Sequence, residues 1–265
     1  MEDSSGTAAL YRGMDRAALD AAYNNTAAVA DSARIVADWR RRSDAMRKSA
    51  VEWRYGPAGR NRIDFFGAGA GTPLLVFIHG GYWQMRAKEL FAFLAAGPLA
   101  HGIDVALVGY TLAPAKRLDG IVAEILSSLD FLANKNPVLY VSGWSAGGHL
   151  AAMAMGHPAV AGGLAISGIY DLEPIRLCYL NEKLMLNEDE CRRNSPLHLP
   201  SPRKPLIITY GTAELPELQR QSELYATAIG QRARPLAGHN HFTILEELAA
   251  DTGALARLEC TLMDR

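Results

Sequence analysis

Apolar residues in the middle of this chain come in short, nearly unbroken runs: Leu74–Ile78, then 105–108, 138–141, 164–166 and 206–209. A strand buried on both faces reads this way, because neither side of its pleat meets water. Among these runs lie stretches of helix length, at residues 87–99, 121–133, 146–155 and 216–229. Strand and helix therefore alternate, which predicts an α/β fold: a mostly parallel central sheet, right-handed crossovers and helices on both faces. A further segment at 232–236 predicts the last strand. Ahead of the first run, residues 51–55 and 63–66 alternate apolar with polar, and Gly56-Pro57-Ala58-Gly59 supplies a turn between them. That pair predicts an antiparallel N-terminal edge hairpin.

Two segments break the rhythm. Residues 1–47 are rich in Ala, Arg and Asp, with Leu19, Tyr23, Val29, Ile35 and Trp39 at roughly helical spacing, and predict an N-terminal helical arm. The interval 172–204 holds Leu177, Tyr179, Leu180, Leu184, Met185 and Leu186 among prolines and charges, and is too long for a simple connection. It predicts a small helical, cap-like excursion over the active face, with a peripheral surface insertion as the alternative.

Composition narrows the picture. A chain of 265 residues, 49% hydrophobic and 21% charged, is large enough for a substantial core, and we read residues 1–265 as one domain. A formal charge of −1 gives no general attraction to nucleic acid or to an acidic membrane. The basic cluster Arg40-Arg41-Arg42 with Arg47-Lys48 reads more simply as a solvated helix face than as a binding patch. Cys178, Cys191 and Cys260 are odd in number and widely spaced, which suggests free thiols in a reducing compartment. With no basic-then-apolar leader pattern and no run of about 18 apolar residues, the expected setting is cytoplasmic.

The chemistry is concentrated at Gly143-Trp144-Ser145-Ala146-Gly147, which follows a predicted strand and opens a predicted helix. This is the context of a nucleophile elbow, where a sharp turn presents a serine hydroxyl and flanking glycines avoid collisions. The helix starting behind Ser145 offers the Ala146 amide to a developing oxyanion. A serine hydroxyl is a weak nucleophile at neutral pH and needs a histidine base oriented by a carboxylate. In such folds both partners follow the serine in the chain. Of the downstream histidines, His239 and His241 lie after the last predicted strand. For the acid, Glu214 stands on the loop after the run ending at Gly211, where it can reach a histidine on the next loop. Asp171 and Glu217 are its rivals, the latter also placed to serve as a first-turn acid of a helix. The loop His79-Gly80-Gly81-Tyr82-Trp83 follows the first central strand and is expected to complete the oxyanion hole with the Gly81 and Tyr82 amides. His79, upstream of the serine, is read as a structural histidine.

With those elements in order, the chain resembles the α/β-hydrolase fold and, more narrowly, is similar to the kynurenine formamidase (arylformamidase) group and its esterase-like relatives. The resemblance rests on His79-Gly80-Gly81-Tyr82-Trp83-Gln84, on Ser167-Gly168-Ile169-Tyr170-Asp171-Leu172-Glu173-Pro174 and on Arg193-Asn194-Ser195-Pro196. It extends to the segment from Glu214 to Ser222 and to His241-Phe242, with Tyr23-Asn24-Asn25 a weaker echo. It implies His241 as the base, with His239 left to line the pocket or cap the turn, and hydrolysis of an N-formyl aryl amide without metal or organic cofactor. Two departures stand out: Glu214 occupies a position usually held by aspartate, and Trp144 one usually held by histidine. Either substrate stacking or packing against a neighbouring strand fits Trp144. Trp83, Trp144 and Tyr179, with Tyr82 and Met185, are candidates to line a leaving-group cavity.

The expected activity is that of a serine hydrolase acting on a small-molecule ester or amide. A general carboxylesterase or thioesterase is the alternative within enzymes, and a non-catalytic ligand-binding protein on the same scaffold the alternative outside them. The aromatic loop and the arm are equally able to form a homodimer interface.

Overall fold

The computed structural model of the chain describes residues 9–69 and 71–264, so the first eight residues of the expected arm lie outside the described part. Eight strands form one sheet: β1 Val51–Arg54, β2 Arg62–Phe66, β3 Leu74–Ile78, β4 Asp104–Val108, β5 Leu139–Trp144, β6 Val160–Ile166, β7 Leu206–Gly211 and β8 Arg234–Leu236. Their order across the sheet is β1-β2-β4-β3-β5-β6-β7-β8. β1 pairs antiparallel with β2 and β2 antiparallel with β4, whereas every pairing from β4 through β3 to β8 is parallel. The expected edge hairpin and parallel sheet are both present. This is the α/β-hydrolase architecture.

The unbroken apolar runs are explained by the two core layers. Along β3, Leu74, Val76 and Ile78 enter one layer while Leu75 and Phe77 enter the other. Both faces of the strand are buried, so no polar alternation survives in the sequence.

The helices are α1 Arg16–Ala22, α2 Asn25–Ala28, α3 Ser32–Met46, α4 Ala96–Ala100, α5 Leu118–Ala133 and α6 Ala146–Ala154. They continue with α7 Glu173–Leu177, α8 Asn181–Leu184, α9 Glu188–Arg193, α10 Pro216–Ala228, α11 Glu246–Ala249 and α12 Ala254–Met263. α5, α6 and α10 cover one face through Ile121, Ile125, Leu150, Ala151, Leu218 and Tyr225. α3, α11 and α12 cover the other through Ile35, Trp39, Leu248, Leu255 and Leu262. No helix among the described residues is long and apolar enough to cross a membrane.

Three local outcomes differ from the pattern-based expectation. Residues 87–99 form a tighter 3-10 segment, Lys88–Ala95, before α4. Phe91, Ala92, Phe93, Leu94 and Ala95 are all buried in succession, so this part of the piece carries no one-sided periodicity. The C-terminal helix α12 has no counterpart among the elements the pattern predicts. The arm does not stand apart, because Leu19 and Tyr23 belong to one core layer and Val29, Ile35 and Trp39 to the other.

The basic cluster beside Trp39 is largely paired within the molecule. Arg41 bonds Asp38 at 2.6 Å, Arg42 grips Glu246 at 2.6 and 2.9 Å, and Arg47 meets the buried Asp64 at 3.0 Å. The interval 172–204 is helical, as expected, built from α7, α8, α9 and a 3-10 turn at Pro196–His198. It leans on the neighbouring elements: the Asn194 carbonyl meets His149 Nε2 of α6 at 2.7 Å, and Gln84 donates to the Leu180 carbonyl at 3.4 Å.

Candidate active site

β5 delivers Ser145 to a backbone conformation that few non-glycine residues adopt, φ 59° and ψ −120°, immediately before α6. The flanking glycines are sterically required. A Cβ on Gly147 would run into the Ile78 carbonyl, and one on Gly143 into the Gly147 carbonyl. The bend can therefore close only with bare α-carbons at both positions.

His241 and Glu214 converge on this bend from the loops after β8 and β7. Glu214 Oε2 lies 2.8 Å from His241 Nδ1, and the two side chains are essentially sealed from solvent. The other carboxylate oxygen accepts from the Ser167 hydroxyl at 2.5 Å and from the Gly211 amide at 2.7 Å. A buried carboxylate oxygen needs such donors in place of the water it has lost. Held in this way, Glu214 fixes the Nδ1–H tautomer and leaves Nε2 free to accept a proton. The histidine is also tied to the elbow, since the Trp144 indole N–H donates to the His241 carbonyl at 2.8 Å and the two ring centroids are 4.7 Å apart.

The rival acids are engaged elsewhere. Asp171 accepts from the Tyr11 hydroxyl at 2.9 Å, and Glu217 pairs with Arg220 at 2.8 Å. His239 braces the turn through the Thr243 carbonyl at 3.3 Å and Glu247 at 3.4 Å.

The loop after β3 presses against the elbow: a Cβ on Gly80 would stand 2.6 Å from the Trp144 carbonyl and 3.0 Å from Ser145 Cβ. Gly81, Tyr82 and Trp83 follow with φ of 117°, 49° and 59°. Among the described residues neither the Gly81 nor the Tyr82 amide donates to a protein acceptor, while the Gly81 carbonyl takes the Gln84 and Met85 amides. The Ala146 amide opens α6 and lacks an intrahelical partner by position. Among the described residues these three amides thus remain without a protein acceptor.

The neighbouring histidines are structural. His79 is fully enclosed, stacked 4.3 Å from Tyr110, donates Nδ1–H to the Gly80 carbonyl at 2.8 Å, and is pushed down to about 3 by burial. His149 accepts from the Trp83 indole N–H at 3.2 Å and donates to the Asn194 carbonyl at 2.7 Å, with burial lowering it to about 4. Both rings are neutral at pH 7.

The aromatic candidates for a cavity wall need correction. Trp83 is 0% exposed and Trp144 is 2% exposed. Trp83 is used up by His149, and Trp144 packs edge-on to Trp39 and against Phe91 and Phe242. They brace the loop and the elbow from behind, because rings this size at the ends of buried strands complete the core. Tyr179 is partly buried, and Met185 is exposed in a left-handed turn after α8. The structure adds two supports: Ser167, which holds Glu214, and the arm's hold on Tyr82. The Tyr82 hydroxyl donates to the Tyr23 carbonyl at 2.6 Å and accepts from Asn25 Nδ2 at 2.8 Å. A serine closing a strand before Gly168 was the only sequence hint of the first.

Comparison with known proteins bears on the family and the fold. Residues 75–261 match the model of an alpha/beta hydrolase family. The kynurenine formamidase of Danio rerio is 30% identical over 242 residues, 82% of this chain and 83% of that protein. That of Salmo salar is 34% identical over 218 residues, 73% and 74% of the two chains. Among solved structures, a putative thioesterase from a Silicibacter species superposes with a TM-score of 0.84 at 28% identity, covering 90% of this chain and 97% of its own. An esterase from the archaeon Pyrobaculum calidifontis shares the fold, with a TM-score of 0.68 at 19% identity over 88% and 93% of the chains.

Proposed function

Since the chain belongs to the alpha/beta hydrolase family and is a hydrolase of esters or amides, we propose that it removes a small acyl group, formyl foremost, from an aromatic amine of the N-formylkynurenine type. The observation that carries the reading is the enclosed Glu214–His241 pair at 2.8 Å beside the elbow serine. Ser145 attacks the carbonyl carbon as His241 Nε2 takes its proton. The tetrahedral oxyanion is met by the amides of Gly81, Tyr82 and Ala146. His241 returns the proton to the leaving amine, and water then attacks the acyl-serine by the same route in reverse. The formamide preference is supported by the two formamidase relatives and by the His79-Gly80-Gly81-Tyr82-Trp83 loop.

A carboxylesterase or thioesterase reading uses the same machinery on longer acyl groups and is favoured by the likeness to the Silicibacter protein. Steady-state hydrolysis of N-formylkynurenine beside p-nitrophenyl acetate and butyrate, with Ser145→Ala as blank, separates the two. A formamidase shows kcat/KM for the formamide far above that for either ester, and Ser145→Ala drops turnover by roughly 10⁴-fold or more. Turnover of the esters alone assigns the chain to the esterases. Turnover undiminished in Ser145→Ala refutes the serine mechanism, and no turnover of any substrate by the wild-type protein leaves the ligand-binding reading.

A further inference from the structure

Among the described residues, Arg86 is a cation without a counter-ion. Lys88, two residues on, is buried against Asp64 at 2.5 Å, Glu89 at 3.0 Å and Glu52 at 3.3 Å. Arg42, Arg47, Arg117 and Arg220 each have a carboxylate partner as well. Among the described residues, by contrast, the Arg86 guanidinium makes neither a salt bridge nor a hydrogen bond. Its Cζ stands 5.6 Å from the ring centroid of Trp144 and 5.6 Å from that of Phe242. Trp144 immediately precedes Ser145 and Phe242 immediately follows His241. The free charge therefore lies over the two rings that adjoin the attacking and proton-accepting residues.

Its placement is constrained. Arg86 has a left-handed backbone, φ 70°, a conformation that costs a non-glycine residue free energy and persists only where surrounding structure imposes it. Arg60 supplies part of that constraint, donating to the Arg86 carbonyl at 2.7 Å while its Nε holds the Tyr110 carbonyl at 2.8 Å. Burial lowers the Arg86 guanidinium to about 10, the direction expected when a cation loses water and gains no anion. Contact with two aromatic faces offsets part of that loss but uses none of the five N–H donors. A planar cation fixed against rings with its donors unspent matches a carboxylate in both charge and geometry.

We infer that Arg86 reads a carboxylate on the substrate, so that the enzyme selects anionic aryl formamides over neutral ones. The inference rests on the formamidase reading above. A formyl group has no substituent to bear a charge, so the carboxylate belongs to the amine that departs. Arg86 then acts as a specificity-determining residue that binds the leaving part while Ser145 attacks the acyl part.

The test compares N-formylkynurenine with its α-carboxamide, which has the same scissile bond but no carboxylate, in wild type, Arg86→Met and Arg86→Lys, with p-nitrophenyl acetate as a further substrate for wild type. Wild type favours the carboxylate by roughly 10- to 100-fold in kcat/KM, mainly through KM, as expected for a charge-assisted contact. In Arg86→Met the ratio of the two values collapses toward unity, and Arg86→Lys recovers part of it. A wild-type ratio near one, or a ratio unchanged in Arg86→Met, overturns the inference while leaving formamide hydrolysis intact. Failure of wild type to cleave either formamide while it cleaves p-nitrophenyl acetate overturns the formamidase reading itself, and the inference falls with it.

Discussion

At the scale of single residues, the choice of acid turns on one geometric fact. Glu214 has both oxygens occupied, one by His241 and the other by Ser167 and Gly211. The longer reach of glutamate is accommodated because Ser167, just after β6, and Gly211, at the end of β7, supply donors for its second oxygen. Replacing Glu214 with Gln leaves the shape but puts an amide where the Nδ1–H needs an acceptor, so the wrong histidine tautomer is favoured. We expect kcat to fall roughly a thousandfold with little change in melting temperature, as read by steady-state kinetics and thermal unfolding. Asp171→Asn, at a carboxylate bonded to Tyr11 rather than to His241, should leave kcat within about threefold of wild type. The reverse ranking of the two variants would reassign the acid.

At the scale of elements, the arm and the loop after β3 act together. Three consecutive left-handed residues from Gly81 to Trp83 would not hold their shape alone. Tyr82 is anchored at its hydroxyl by Tyr23 and Asn25, from the arm, so the register of a candidate oxyanion donor is set by a segment about sixty residues earlier. Tyr82→Phe removes both bonds and keeps the ring. The expected result is a loss of about tenfold in kcat with KM nearly unchanged, because the loosened amide matters most when charge develops on the substrate oxygen. A change confined to KM would instead mark the tyrosine as a substrate contact.

At the scale of the whole molecule, one buried carboxyl group couples stability to pH. Glu259 of α12 is fully enclosed in the layer containing Leu255 and Leu262, and both its carboxyl oxygens lack a hydrogen-bond partner. Burial pushes it up to about 8, and Ser142, whose hydroxyl donates to the Leu164 carbonyl, offsets little of this. The folded protein therefore holds a proton that the unfolded chain releases near pH 4.5. The stability that depends on this proton is fully present below the unfolded value and is lost as pH rises through about 8. Within that window the loss approaches about 1.4 kcal/mol per pH unit, on the order of 3 kcal/mol by neutrality. Glu259→Gln should remove this slope, so urea-unfolding free energies of variant and wild type diverge steadily between pH 5 and pH 8. A constant difference across that range would show that Glu259 ionises normally.

Much of this protein was legible in its sequence because the signals are local. Apolar runs such as Leu74–Ile78 record burial on both strand faces, the glycines around Ser145 record backbone contacts that no side chain tolerates, and Gly56 to Gly59 marks the hairpin turn. The serine's place before a helix, the order of acid and base, and the glycine loop all follow from chain direction through a parallel sheet. What only the tertiary structure decided is which distant groups meet. Glu214 rather than Asp171 or Glu217 faces His241, and Trp83 and Trp144 complete the core instead of lining a cavity. Tyr82 is held by the arm, and Arg86 lies over two rings with no carboxylate partner among the described residues. Such pairings join residues tens to hundreds of positions apart, and no periodicity or spacing encodes them, because proximity in the fold is set by the packing of whole layers.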